Sequence, residues 1–199
     1  MTQLSGENFD AVKGGQMVFF FLDKASKKAM NITKLRLIKW LYLAERESYK
    51  EFGEPMIGDR LASLAHGPVP SGALAIIEGK RNDWRNIISI ERKLKHQYVR
   101  LAPECPYVTT EDLDKFSDAE ITVLESTWIQ YGSWSSLALE RHLHDTAAFP
   151  EWQWKKGDGA NWIELETVLT SVGFDVEQIS AMVEKITTFS GMRAQQNCR

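Results

Sequence analysis

The chain has 199 residues, 43% hydrophobic and 26% charged, with a formal net charge of −3. That length and balance predict one globular domain and exclude disordered and fibrous classes. Slight acidity argues against a protein devoted to non-specific nucleic-acid binding, although local patches matter more than totals.

Seven Trp, nine Phe and five Tyr supply enough bulk for a core that needs neither disulfide nor metal. Cys105 and Cys198 form no CxxC pair and their spacing does not suggest zinc. Two unpaired thiols fit a reducing compartment. The N-terminus lacks a basic flank followed by an apolar stretch, and the longest apolar run, Met17 to Leu22, is far short of a membrane span. The expected location is the cytoplasm, with no membrane partner.

In chain order, residues 9–29 predict a helix whose first half is weakened by Gly14-Gly15. Thr33 is the expected N-cap of the next helix, 34–52. Its apolar residues Leu35, Leu37, Ile38, Trp40, Leu41, Tyr42, Leu43 and Ala44 cover most of the circumference, as in a central helix. Lys34, Arg36 and Lys39 mark the remaining polar sector. Gly53 and Pro55 end it.

Leu61 to Ala65 predicts a short strand, and His66-Gly67-Pro68-Val69-Pro70-Ser71-Gly72 a rigid loop before a helix at 72–79. Residues 87–102 predict a β-hairpin with a loop longer than two residues. Ser117-Asp118-Ala119-Glu120 is a capping box opening helix 118–131. Ser133 or Ser135 opens another helix to about Leu143. A loop carrying Trp152 and Trp154 follows, then helix 161–171, then a helix at 176–189 capped by Asp175 with Gln178, then a polar tail over 191–199. The fold class is mainly α (α+β): a helical domain around the 34–52 helix, with small β elements near 61–65 and 87–102.

Several of these segments carry a resemblance. Thr33 to Ala44 resembles the "KLxKLLYLA" signature of the Panacea, or SocA-like, antitoxin family, with Trp40 where the pattern has Leu. Gly53-Glu54-Pro55-Met56-Ile57-Gly58-Asp59 and His66-Gly67-Pro68-Val69-Pro70 are similar to its "G-x-P-I-x-G-D" and "G-P-V" elements. Ser117-Asp118-Ala119-Glu120 with Tyr131-Gly132 resembles a further helix of the pattern. Leu143-His144 with Pro150-Glu151-Trp152 resembles the "S-H-x-x-P-W" ending, with a longer gap. The likeness covers about residues 15–170 of a single domain spanning 1–199.

The resemblance implies a compact helical domain that binds and neutralises a toxin encoded beside it. Some members instead deliver the toxin to a protease, and some carry an added DNA-binding domain, of which this sequence shows no helix-turn-helix. The candidate partner-binding set is Tyr42, Asp59, His66, Gly67, Pro68, Val69, His144 and Trp152 from these motifs, with Arg92 and Lys93 added from the basic hairpin.

Each candidate has a plainer reading. The His66–Pro70 loop is a pre-ordered edge for a partner or a simple turn fixed by proline. His142 and His144 are two apart, so on a helix they diverge and cannot share a metal; no metal or other cofactor is expected. Basic residues at Lys24, Lys27, Lys28, Lys34, Arg36 and Lys39, and at Lys80, Arg81, Arg85, Arg92, Lys93 and Lys95, form solvated faces or a match for an acidic partner. Trp152 and Trp154 either plug the core or anchor an interface. No GxSxG, HExxH or phosphate-cradling motif points to catalysis. The leading expectation is a non-enzymatic antitoxin-like binding protein. The alternatives are a proteolytic adaptor, a hydrolase built on His66, His144 and a carboxylate, and a nucleic-acid binder using 80–95.

Overall fold

Polar caps set where the helices begin. The computed structural model describes residues 8–93 and 96–196. Asp10 accepts from the Lys13 N–H and opens α1 (Ala11–Ser26). The glycine pair does not fray this helix. Gly14 and Gly15 are buried where Trp84 and Ile87 press on it, and a Cβ on Gly15 would stand 2.5 Å from Ile87 Cδ1. Close approach, not weakness, explains the two glycines.

A two-residue strand β1 (Ile32–Thr33) leads into α2 (Lys34–Phe52), and the Thr33 hydroxyl accepts from the Arg36 N–H. Gly53 closes α2 in the left-handed conformation, at φ 68°. α2 contacts α1, β1 and most of the later elements described below, and so runs through the middle of the fold. Trp40 is fully buried on it, stacked on Phe21 at 5.7 Å and edge-on to Trp128 at 5.3 Å. Phe19, Phe20 and Phe21 of α1 are likewise buried. Burial of each such side chain contributes about 1.5–3 kcal/mol.

β2 (Leu61–Leu64) pairs antiparallel with β3 (Gly67–Pro70), in register Ser63↔Pro68 and Leu61↔Pro70. The His66–Gly72 segment is therefore a strand for most of its length, a correction to the loop expected from its prolines. β3 is the sheet edge, where a residue lacking N–H is tolerated. α3 (Ser71–Ile77) follows. β4 (Ile88–Lys93) and β5 (His96–Leu101) form the hairpin, with β1 on the far side of β5. Pairing extends to Lys93↔His96, so the connection is two residues long, shorter than expected. Lys95 and Cys198 lie outside the described residues.

α4 (Asp118–Tyr131) starts at the expected Ser117/Glu120 capping box, and α5 (Ser136–Leu143) is capped by Ser135. The expected helix at 161–171 starts late: β6 (Asn161–Trp162) first joins β2, and α6 (Leu165–Ser171) comes after it. α7 (Val176–Gln196) opens with the Asp175–Gln178 exchange and runs through most of the stretch read as a polar tail. Beyond α1, the elements that α2 contacts most extensively are α4, β3, α5 and β5. The result is a mainly helical α+β fold with two small antiparallel sheets.

Candidate functional site

Lys39 does not belong to a solvated sector. It shares a face of α2 with Leu35 and Leu43, is 0% exposed, and its Nζ donates to the Pro68 carbonyl oxygen at 2.9 Å. Burial pushes its amine down to about 7, against the opposing pull of the Glu140 carboxylate. Gly67 makes this packing possible. A Cβ there would stand 3.1 Å from Lys39 Nζ and 3.5 Å from His144 Cδ2, on a backbone at φ +93°.

Around that glycine several expected site residues converge. His66 is exposed on the β2–β3 turn, with Nδ1 2.7 Å from Glu140 Oε1 of α5. His144 stacks on Trp152, with ring centroids 4.0 Å apart and planes 7° from parallel. Trp152 Nε1 donates to the Leu64 carbonyl oxygen, tying the stack to β2. Burial lowers the His144 pKa, and its Nε2 has no hydrogen-bond partner. Gly67, Pro68 and Val69 are buried in β3, so they shape this corner from inside.

A second cluster lies farther along α2. The Tyr42 hydroxyl donates to Glu151 Oε1 at 2.6 Å, and Arg46 Nε donates to the same oxygen at 2.6 Å. The Glu151 side chain is 0% exposed and that of Arg46 14%, which makes this a buried ion pair. The Tyr42 pKa is raised, first by burial and then by Glu151. Tyr42 is thus a strut that holds the 148–152 loop against α2, not a surface contact as the sequence reading had it. Glu45, also buried, accepts from the N–H groups of Met56, Ile57 and Gly58. Burial pushes its carboxyl up to about 8, and those three amides oppose the rise. Asp59 accepts from the Gly72 and Ala73 N–H groups at 2.8 and 2.7 Å and is 1% exposed, so it too is scaffold.

Arg92 and Lys93 are exposed near the end of the hairpin, on the other sheet, and Lys93 pairs with Glu91 at 2.9 Å. Several other basic residues of the two clusters are paired: Lys24 with Glu125, Lys34 with Glu78, Arg81 with Asp83. Among the described residues, no three His, Cys, Asp or Glu side chains gather as a metal site, and no helix is long and apolar enough to cross a membrane.

Between the first turns of α2, α3, the β2–β3 turn and the 154–159 loop lies a cleft of about 350 Å³. Leu35, Ile38, Leu64, Val69 and Leu74 supply apolar walls, and Lys39, His66 and Trp154 also line it.

The family model described as "Antitoxin SocA-like, Panacea domain" matches residues 37–153. The chain belongs to that family. The matched segment of this Panacea domain begins within the buried part of α2 and ends just after Trp152, so it holds both clusters. α1, α6 and α7 fall outside it. No curated protein and no solved structure matches the chain.

The partner-binding set drawn from the sequence omits Lys39, Arg46, Glu140 and Glu151. For Lys39 a signal existed: Leu35 and Leu43, four positions either side, place it on an apolar face. Glu140 and Arg46 gave none, because their partners are distant in sequence, and Glu151 stood inside the Pro150-Glu151-Trp152 motif with nothing local to name its partners.

Proposed function

We propose that this Panacea-domain protein is antitoxin-like and neutralises a cognate toxin by binding it directly. Membership of the SocA-like antitoxin family over residues 37–153 carries the reading. The exposed groups among the expected contacts are His66, Arg92 and Lys93. Ile129 and Leu137, 79% and 54% exposed, add apolar surface on α4 and α5. An interface of standard size, about 1,600 Å² in total, needs a few such anchors and no reacting group. The buried Tyr42–Glu151–Arg46 and Lys39–Pro68 ties keep the framework rigid, which reduces the ordering cost of association.

The toxin is expected in an adjacent reading frame, and the encounter takes place in the cytoplasm. Expression of that frame alone is expected to arrest growth, and co-expression of this chain to relieve the arrest with the toxin level unchanged. Relief accompanied by protease-dependent loss of the toxin would instead establish an adaptor. A harmless neighbour that forms no complex overturns the proposal.

A further inference from the structure

The wall of the apolar cleft includes Lys39, a buried amine with no ion-pair partner among the described residues. Lys39 has the Pro68 carbonyl as its hydrogen-bond partner and no carboxylate in an ion pair among the described residues. A lysine ammonium offers three donors, and buried cations are ordinarily paired with an anion. The nearby acids make their close contacts with other groups. Glu78 holds Lys34 at 2.9 Å and Lys80 at 2.8 Å. Asp158 accepts from the Lys155 N–H and from Asn161 Nδ2. Glu140 draws on Lys39 electrostatically but makes its close contact with His66, at 2.7 Å.

We propose that this cleft binds a small amphipathic carboxylate, with its apolar chain against Leu35, Ile38, Leu64, Val69 and Leu74 and its head group on Lys39 Nζ. The volume of about 350 Å³ is within the usual range for small-ligand sites. At about 30 Å³ per water-sized unit, it holds a chain of about ten heavy atoms, the size of a medium-chain acid. Lys39 is sealed from water beneath the His66–Gly67 turn, so binding swings Nζ on its flexible four-carbon stem from the Pro68 carbonyl into the cleft. An amine with a pKa near 7 takes up its proton readily when an anion arrives.

The test titrates octanoate into the purified full chain at neutral pH, followed by calorimetry and tryptophan fluorescence, with octanol as the neutral comparator. Wild type is expected to bind octanoate saturably at one site. Lys39→Met is expected to weaken octanoate at least tenfold while leaving octanol unchanged. Leu74→Trp, which fills the cleft without touching the charge, is expected to abolish both. Absence of saturable octanoate binding to wild type overturns the proposal. So does a Lys39→Met variant that binds octanoate as wild type does, or a Leu74→Trp variant that keeps both ligands. The experiment needs this chain alone, so its failure leaves the toxin-binding proposal standing.

Discussion

Replacing Lys39 with methionine is expected to change how stability depends on pH more than stability itself. In the folded chain burial holds the lysine near pKa 7, whereas an unfolded lysine has its ordinary 10.5. Between those values the unfolded chain binds a proton that the folded chain lacks, so the Lys39 contribution to stability rises with pH across the window, while Glu45, near 8 in both proteins, drops out of their difference. Integrated from about 7 to 10.5, the effect is on the order of 5 kcal/mol, with a slope of about 1.4 kcal/mol per pH unit in mid-window. Lys39→Met removes this limb and loses one hydrogen bond to Pro68, a cost of about 1 kcal/mol. At pH 6.5 the variant is therefore expected to be at least as stable as wild type, because it buries no charge. By pH 9.5 wild type should have gained about 3 kcal/mol on it. Tyr42 and Tyr49, which burial holds protonated, begin to act only above their ordinary value of 10.0, outside this range. Urea denaturation followed by tryptophan fluorescence at half-unit pH steps measures the difference. Parallel stability curves for the two proteins between pH 7 and 9.5 would refute the buried-amine reasoning.

Glu45→Ala leaves three buried N–H groups, those of Met56, Ile57 and Gly58, without an acceptor and is expected to cost on the order of 4 kcal/mol; a melting temperature close to wild type would contradict this. Arg46→Ala strands the Glu151 carboxylate and is expected to destabilise by about 3 kcal/mol, as seen in chemical denaturation. A double-mutant cycle with Glu151→Ala should show strong coupling between the two sites. Gly53→Ala places a Cβ at φ +68° and 2.6 Å from Met182 Cε, so a loss of about 1–2 kcal/mol is expected. His66→Ala, on an exposed side chain, should change stability by less than about 0.5 kcal/mol, and any larger effect belongs in partner binding.

The central helix was legible because its apolar residues wrap the cylinder and Thr33 and Gly53 punctuate its ends. The Ser117–Glu120 box and the Asp175–Gln178 exchange were legible for the same local reason. Segments decided by distant contacts were not. Pro68 and Pro70 read as a loop, yet β2 offers them an edge position where a missing N–H does no harm. Gly14 and Gly15 read as a weak first half of α1, because nothing local announces that Trp84 and Ile87 will pack on them. The site divides along the same line. Gly67 was singled out from its motif, but its reason, room for Lys39 Nζ and His144, depends on three segments meeting. Tyr42 was expected to contact a partner because a motif says that a residue matters, not whether it acts by touching another chain or by bracing its own.

Size-exclusion chromatography with light scattering, applied to this chain co-expressed with the protein of its adjacent reading frame, measures the central claim most directly. A stable species of defined stoichiometry containing both proteins, retained at physiological salt and by the Lys39→Met variant, is the expected result. Two separate peaks, from cells in which the neighbour is toxic yet growth is restored by this chain, would contradict neutralisation by direct binding.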